Sequence, residues 1–343
     1  MISLRILFAP LLLLALASGA CAKPWQSVDP AASGWSVDRL KAAEAFAADL
    51  NPTAVMVVQD GKVVARWGDV TRRVNIASVR KSLLSALYGI AIAEGRIDPA
   101  STLGELGIDD KAPALTAAEK QATVRDLLMT RSGVYHAAAY ETADARGKRP
   151  GRGSHAPGTF WYYNNWDFNA LGTIYRRQTG EDIFASFARR IAAPIGMEDF
   201  SVRDGRYVLE GASVHPAYPF MMSARDLARF GQLFLNGGTW DGREVVPAAW
   251  ARLSTSALSQ PPGHNSGYGY MWWTLNTDQW GEGGAFNAGY GGEVIAFLPE
   301  MRLVIVQTVD PSQNSRGIEM RDFFKLMRKI VDAAPSGSEP SRR

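Results

Sequence analysis

Strands at both ends of the chain, with helices between them, predict an α+β fold. Three observations carry this. Near the N-terminus, AVMVVQDGKVVARWG places two β-branched runs around Asp60-Gly61, the strongest short-range hairpin signal. Near the C-terminus, GGEVIAFLPE and RLVIVQTVD are again rich in strand formers. Between them helical spacing dominates, as in Leu83, Leu84, Leu87 and Ile90. The expected build is an antiparallel sheet of N- and C-terminal strands flanked by helices, plus a mainly helical inserted lobe. A site then falls in the cleft between the lobes.

The elements follow in order. Residues 1–22 read as a secretory signal: Arg5, a mostly apolar run from Ile6 to Ala17, then small residues around Ala20-Cys21-Ala22. The apolar run is too short for a comfortable membrane span. Cleavage after Ala22 leaves a periplasmic or secreted protein with no cysteine, because Cys21 is the only one. The competing reading is a lipoprotein, with a membrane anchor only if Cys21 is lipidated.

Residues 23–335 read as one catalytic domain. An α/β lobe covers about 40–75 and 265–335, and a helical lobe about 76–264. WSVDRLKAAEAFAADLN is a helix ended by Asn51-Pro52. TVRDLLMTRSG starts a helix at a capping Thr123 and is expected to run to Gly133. EDIFASFARRIAAPIG and SARDLARFGQLFLNGG are two further helices, and Arg225-Asp226 in the second reads as a structural ion pair. YGYMWWTL is expected as a strand, IEMRDFFKLMRKIVDAA as the last helix, and 336–343 as a polar, disordered tail.

The chain has 343 residues, 46% of them hydrophobic and 21% charged, with a net charge of +3. That is enough chain for a sizeable core, and the charge gives no reason to expect nucleic acid as a partner. His136, His155, His215 and His264 are dispersed without metal-ligand spacing, so neither a metal nor another cofactor is expected. No G-x-S-x-G elbow supports a Ser-His-Asp arrangement.

Three stretches carry candidate chemistry. In NIASVRKSLLSALYGI, Ser78 and Lys81 are neighbours on one helix face. A serine hydroxyl needs a base beside it to attack, and Lys81 can serve if burial or a nearby cation keeps its amine neutral. This spacing occurs once in the chain. Ser78 also opens an apolar helix, whose free N–H groups can stabilise an oxyanion. The second stretch, FWYYNNWDFNALG, holds Tyr163-Asn164-Asn165, a Y-x-N pattern; alone, it reads equally as a buried aromatic cluster with a turn. The third, GEGGAFNAGYGGEVIAFLPE, opens a strand with glycines that let backbone approach a ligand closely.

Taken in this order, with LLMTRSGV, MMSARDLARFGQLFLNGGTW and GYGYMWW as supporting stretches, the chain resembles the serine β-lactamase and penicillin-binding protein superfamily over about 40–330. The likeness is to its class C-like branch, which includes carboxylesterases, D-stereospecific peptidases and 6-aminohexanoate-dimer hydrolases. The resemblance implies a β-lactamase/transpeptidase-like fold and an acyl-enzyme mechanism. Ser78 is then the nucleophile and Lys81 its partner. Tyr163 acts as base toward Ser78 and acid toward the leaving group. Asn165 holds Lys81 or the substrate amide, and Tyr140 is placed to touch that amide.

The departure lies in the third motif, where the family usually has K-T-G or H-x-G. Aligned on the strand GGEVIAFLPE, the basic position falls near Gly284, followed by Ala285 and Phe286. No Lys or His is there, which favours an esterase or amidase over a true β-lactamase or D-Ala-D-Ala peptidase. A non-turnover penicillin-receptor-like binder is the third reading. A backbone oxyanion donor is expected near Asn287. Trp161, Tyr162, Trp166, Trp272 and Tyr290 flank the motifs and fit two readings equally, the lining of an apolar groove for a small-molecule amide or ester or the packing of the lobe interface.

Overall fold

The computed structural model describes residues 24–335. The signal segment 1–22, with Cys21, and the tail 336–343 lie outside the described residues.

Helix α1 (Val37–Leu50) begins where the Ser36 hydroxyl accepts the Arg39 N–H, and ends on Asn51 at a left-handed φ of 54°. Strands β1 (Ala54–Gln59) and β2 (Lys62–Gly68) follow. They are joined by Asp60 and Gly61, both at positive φ as a tight primed turn requires. Three main helices come next: α2 (Arg80–Ala93), α3 (Asn165–Thr179) and α4 (Ala224–Leu235). The chain then returns to strands β3 (Trp273–Thr274), β4 (Ala285–Ala288), β5 (Val294–Leu298) and β6 (Leu303–Thr308), and ends in helix α5 (Met320–Ala333).

The six strands form one antiparallel sheet in the order β2-β1-β6-β5-β4-β3. The first and last parts of the chain therefore meet at β1 and β6, in register from Ala54 against Thr308 to Gln59 against Leu303. This is the α+β architecture that the terminal strands predict.

Both faces of the sheet are covered. Trp35 and Leu40 by α1, with Leu326 and Ile330 of α5, pack against Val55, Val57 and Ile305. Met56, Val58, Val304 and Val306 point the other way, into a core with Leu227 and Phe230 of α4 and Leu83 and Leu87 of α2. Successive strand residues alternate faces, so β1 and β6 read as unbroken apolar runs because neither face meets water.

Some expectations change. The helix capped by Thr123 spans only Val124–Leu128, closed at its start by a Thr123–Asp126 capping box. The chain leaves helical geometry well before Gly133. EDIFASFARRIAAPIG is helical at Ile183–Phe187, followed by a wider π turn at Ala188–Ala192. Of YGYMWWTL only Trp273–Thr274 forms a named strand. Arg225 and Asp226 do not pair with each other, because adjacent helical residues point apart. Arg225 binds Glu198 and Asp199, while Asp226 accepts the backbone N–H groups of Glu198, Asp199 and Phe200.

Candidate active site

Ser78 lies in a 3-10 turn, Ala77–Val79, that runs straight into α2. Ala77 holds a left-handed φ of 44° without being glycine. Such strain persists only where neighbours enforce it. Here the Asn75 side chain accepts the Ala77 N–H at 3.0 Å and donates to the Tyr140 hydroxyl at 2.5 Å. The nucleophile candidate thus sits on a braced, kinked entry into a buried helix.

One helical turn on, Lys81 Nζ lies 2.8 Å from Ser78 Oγ, 2.7 Å from Tyr163 Oη and 3.1 Å from Asn165 Oδ1. Tyr163 precedes α3 and Asn165 is its first residue, so the Y-x-N spacing places both groups at one helix end. The Asn164 side chain caps that end by accepting the Trp166 N–H and donates to the Val134 carbonyl. The Tyr163 ring is fixed by the stacked Trp273 and by Phe168.

Burial sets the electrostatics. Lys81 is 1% exposed, and desolvation, then the neighbouring Arg80 charge, pull its pKa well below the usual lysine range. The Tyr163 phenol is pushed up to about 12 by burial, against the opposing effects of the Ser78 hydroxyl and Arg80. A neutral Lys81 has two N–H donors and one lone pair for three neighbours. Asn165 Oδ1 can only accept, so the lone pair is left for a hydroxyl proton. The environment therefore favours Lys81, with Tyr163 held as a phenol, rather than the tyrosinate base that the resemblance implies.

The third stretch reaches the site at a different place from the one expected. Gly284 lies away from Ser78, at the far end of β4, against Leu275 and Leu298. The end of β4 is what touches the nucleophile. A Cβ on Gly289 would stand 2.7 Å from the Ile76 carbonyl and 2.9 Å from Ala77 Cβ, so only glycine lets the chain pass this close. The β4–β5 connection is a tight turn, with the Gly289 N–H on the Glu293 carbonyl. Gly289 packs against Ala77 and Tyr290 lines the cleft with Ser78, and neither is basic.

Asn287 is not brought to the cleft. It is 2% exposed, and its amide donates to the Met271 carbonyl at 2.9 Å and to Ser82. Antiparallel alternation explains the shift. With Gly289 bonded to Glu293, Asn287 faces β5 and the next residue, Ala288, turns its N–H to the opposite edge.

A cleft of about 970 Å³ opens over Ser78. Tyr140, Tyr162, Trp161 and Tyr290 line it, Tyr290 at the rim with 80% exposure. Trp166 and Trp272 do not; both are core residues. Sequence reasoning missed Trp273, which points the opposite way from Trp272 along the strand and lines the cleft beside Trp161 and His264. It also missed Glu293, a buried carboxyl on the cleft wall. Burial pushes its pKa up to about 8, and its Oε2 has no hydrogen-bond partner. Among the described residues no cluster of His, Cys, Asp and Glu could hold a metal ion, and no helix is long and apolar enough to cross a membrane.

A family model described as Beta-lactamase matches residues 42–317. The chain is similar to the D-aminopeptidase of Brucella anthropi, at 30% identity over 173 residues. That match covers 42% of this chain and spans only 31% of the D-aminopeptidase. It is also similar to the 6-aminohexanoate-dimer hydrolase of Paenarthrobacter ureafaciens, at 25% identity over 320 residues, 81% of this chain and 79% of that one. Among solved structures, a candidate 6-aminohexanoate-dimer hydrolase from Bacillus anthracis superposes with a TM-score of 0.68 at 21% identity, covering 92% of this chain and 87% of that one. A mutant class C beta-lactamase superposes with a TM-score of 0.63 at 13% identity, covering 87% and 98%. Both structural likenesses concern the fold.

Proposed function

The chain belongs to the beta-lactamase family, and we propose that it is a serine hydrolase that cleaves an amide or ester through an acyl-enzyme on Ser78, and that it is exported, the latter on the signal-like sequence of residues 1–22. One observation carries the reading: Lys81 Nζ is within hydrogen-bond reach of Ser78 Oγ, Tyr163 Oη and Asn165 Oδ1 at once.

The steps follow from that contact. Neutral Lys81 takes the Ser78 proton as Oγ attacks the substrate carbonyl. The oxyanion is met by the Ser78 N–H and by the Ala288 N–H, which lies on the β3 side of β4 beyond the last pair, Trp273 with Phe286. Tyr163 passes its phenolic proton to the leaving nitrogen or oxygen and recovers one from Lys81. The amine or alcohol departs. Water then attacks the acyl-enzyme, giving a proton to Lys81 as it does so, and Ser78 is released with its proton restored. Asn165 holds the Lys81 amine in line throughout.

The reading favours an esterase or amidase over a β-lactamase. Ala288, Gly289 and Tyr290 offer no cation where the family's β-lactamases hold the substrate carboxylate, while Trp161, Trp273, Tyr140 and Tyr162 suit an apolar acyl group. The amide-cleaving relatives, a 6-aminohexanoate-dimer hydrolase and a D-aminopeptidase, support the same choice. The test is a substrate panel. Nitrophenyl esters and linear amides are expected to turn over, lost in Ser78→Ala, and a cephalosporin to be slow. Fast cephalosporin hydrolysis at low concentration overturns the choice.

A further inference from the structure

We propose that Asn75 and Arg80 are positioning residues for the oxyanion site: between them they fix the backbone of Ala77, and with it the direction of the Ser78 N–H. The proposal rests on the reading of Ser78 as nucleophile given above.

The peptide between Ala77 and Ser78 is one rigid plane, in which the Ala77 carbonyl and the Ser78 N–H point in opposite directions. An N–H turned toward the cleft therefore requires a carbonyl turned into the protein. Arg80 meets that carbonyl: its Nη1 donates to the Ala77 oxygen at 3.0 Å. Arg80 is 1% exposed, and its guanidinium lies by two rings, Tyr218 with its centroid 5.0 Å away and Tyr140 at 5.6 Å. Its Nε and Nη2 are buried with no partner. A charged donor on the carbonyl also polarises the amide, which strengthens the N–H at its other end.

Asn75 holds the preceding plane. Its Oδ1 accepts the Ala77 N–H at 3.0 Å, and its Nδ2 is anchored on the Tyr140 hydroxyl at 2.5 Å. Holding the planes on both sides of Ala77 fixes its two soft dihedrals. The left-handed φ of 44° needs this, since alanine leaves that region when nothing enforces it. The Ala77 methyl in turn faces Gly289, where an added Cβ would stand 2.9 Å from it. The first oxyanion donor is thus set directly against the strand end that offers the second.

Three lysines and arginines line the cleft: Arg80, Lys148 and Arg316. Lys148 is paired with Asp144, and Arg316 is exposed on the connection before α5. Of the three, Arg80 is the one bonded to the nucleophile turn.

The experiment compares a nitrophenyl ester with its thionoester, in which sulfur replaces the carbonyl oxygen, in the full-length protein, Asn75→Ala, Asn75→Asp and Arg80→Met. Donors set for an oxyanion fit the larger, weakly accepting sulfur poorly, so the oxygen-to-sulfur ratio of kcat/KM reports their placement. Ester kcat/KM is expected to fall by about 10²-fold in Asn75→Ala and in Arg80→Met, the scale of a lost oxyanion donor. The thionoester is expected to lose much less, so the ratio collapses. Asn75→Asp keeps an acceptor for the Ala77 N–H and is expected to retain most of the ratio. Asn75→Leu or Arg80→Leu replaces either variant if it does not fold. Equal losses on both substrates, as damage to the dyad or to the fold would give, overturn the proposal. An unchanged ester rate does the same, as does an Asn75→Asp protein no better than Asn75→Ala. A loss in Arg80→Met confined to a higher KM for anionic substrates assigns Arg80 to binding and also overturns it. If Ser78→Ala turns over the ester as fast as the unmodified protein, the reading beneath the proposal fails first, and that outcome is visible before any other variant is compared.

Discussion

Lys81 Nζ stands 2.8 Å from Ser78 Oγ across a single helical turn, and its other partners are Tyr163 Oη and Asn165 Oδ1. Proximity comes from the helix and basicity from burial. The two together make a proton acceptor from a residue that is ordinarily a cation.

Tyr163→Phe keeps the ring against Trp273 and Phe168 but removes the hydroxyl that relays protons. Turnover of a nitrophenyl ester is expected to fall by roughly 10²–10⁴-fold with the melting temperature little changed. Near-normal turnover would show that another group delivers the proton.

The pH dependence has a definite sign. Lys81 must be neutral to accept the Ser78 proton, so kcat/KM is lost as pH falls through its folded-state pKa, which lies well below 10.5. On the alkaline side Tyr163 keeps its proton up to about 12. The expected profile is an acid limb followed by a plateau through mildly alkaline pH. A profile that rises only toward pH 10 would mean an ordinary, protonated lysine.

Gly289→Ala tests whether the end of β4 is part of the site. The added methyl meets the Ile76 carbonyl and Ala77. It displaces the strand edge from the nucleophile, so kcat is expected to drop by about 10²-fold, the scale of a lost oxyanion donor. Retained kcat in this variant would remove β4 from the mechanism.

Glu293 carries a stability prediction. Its folded pKa is raised from 4.5 to about 8, so the folded state holds a proton that the unfolded state has released. The protein therefore loses stability as pH rises from about 4.5 through 8. Glu293→Gln keeps the shape without the ionisation. It is expected to melt higher than the unmodified protein at pH 8 and much closer to it at pH 5. An equal difference at both pH values would show that this carboxyl is not held neutral.

Much of this was legible from local pattern. Ser78-x-x-Lys81 is a short-range spacing that helix geometry turns into a contact by itself, whereas Tyr163-x-Asn165 is a recognisable spacing whose contacts with Lys81 come from the tertiary fold. Terminal strands likewise announced the sheet, because β1 and β6 are apolar on both faces. What failed depended on register. Counting back from the strand GGEVIAFLPE puts the basic position near Gly284, which leaves the turn length out of account. Here the Gly289–Glu293 turn is tight, and the residues beside Ser78 lie further along the chain. The same limit separates Trp272 from Trp273: two adjacent tryptophans look alike in sequence, and strand alternation sends one to the core and one to the cleft. Arg80 was visible as a letter, but only packing shows it to be buried without an anion.

The most direct test of the Ser78 assignment is peptide mapping of the protein after reaction with a fluorophosphonate probe. A single adduct on the peptide carrying Ser78, absent in Ser78→Ala, is the predicted result. An adduct on any other residue, or undiminished ester turnover in Ser78→Ala, would contradict it.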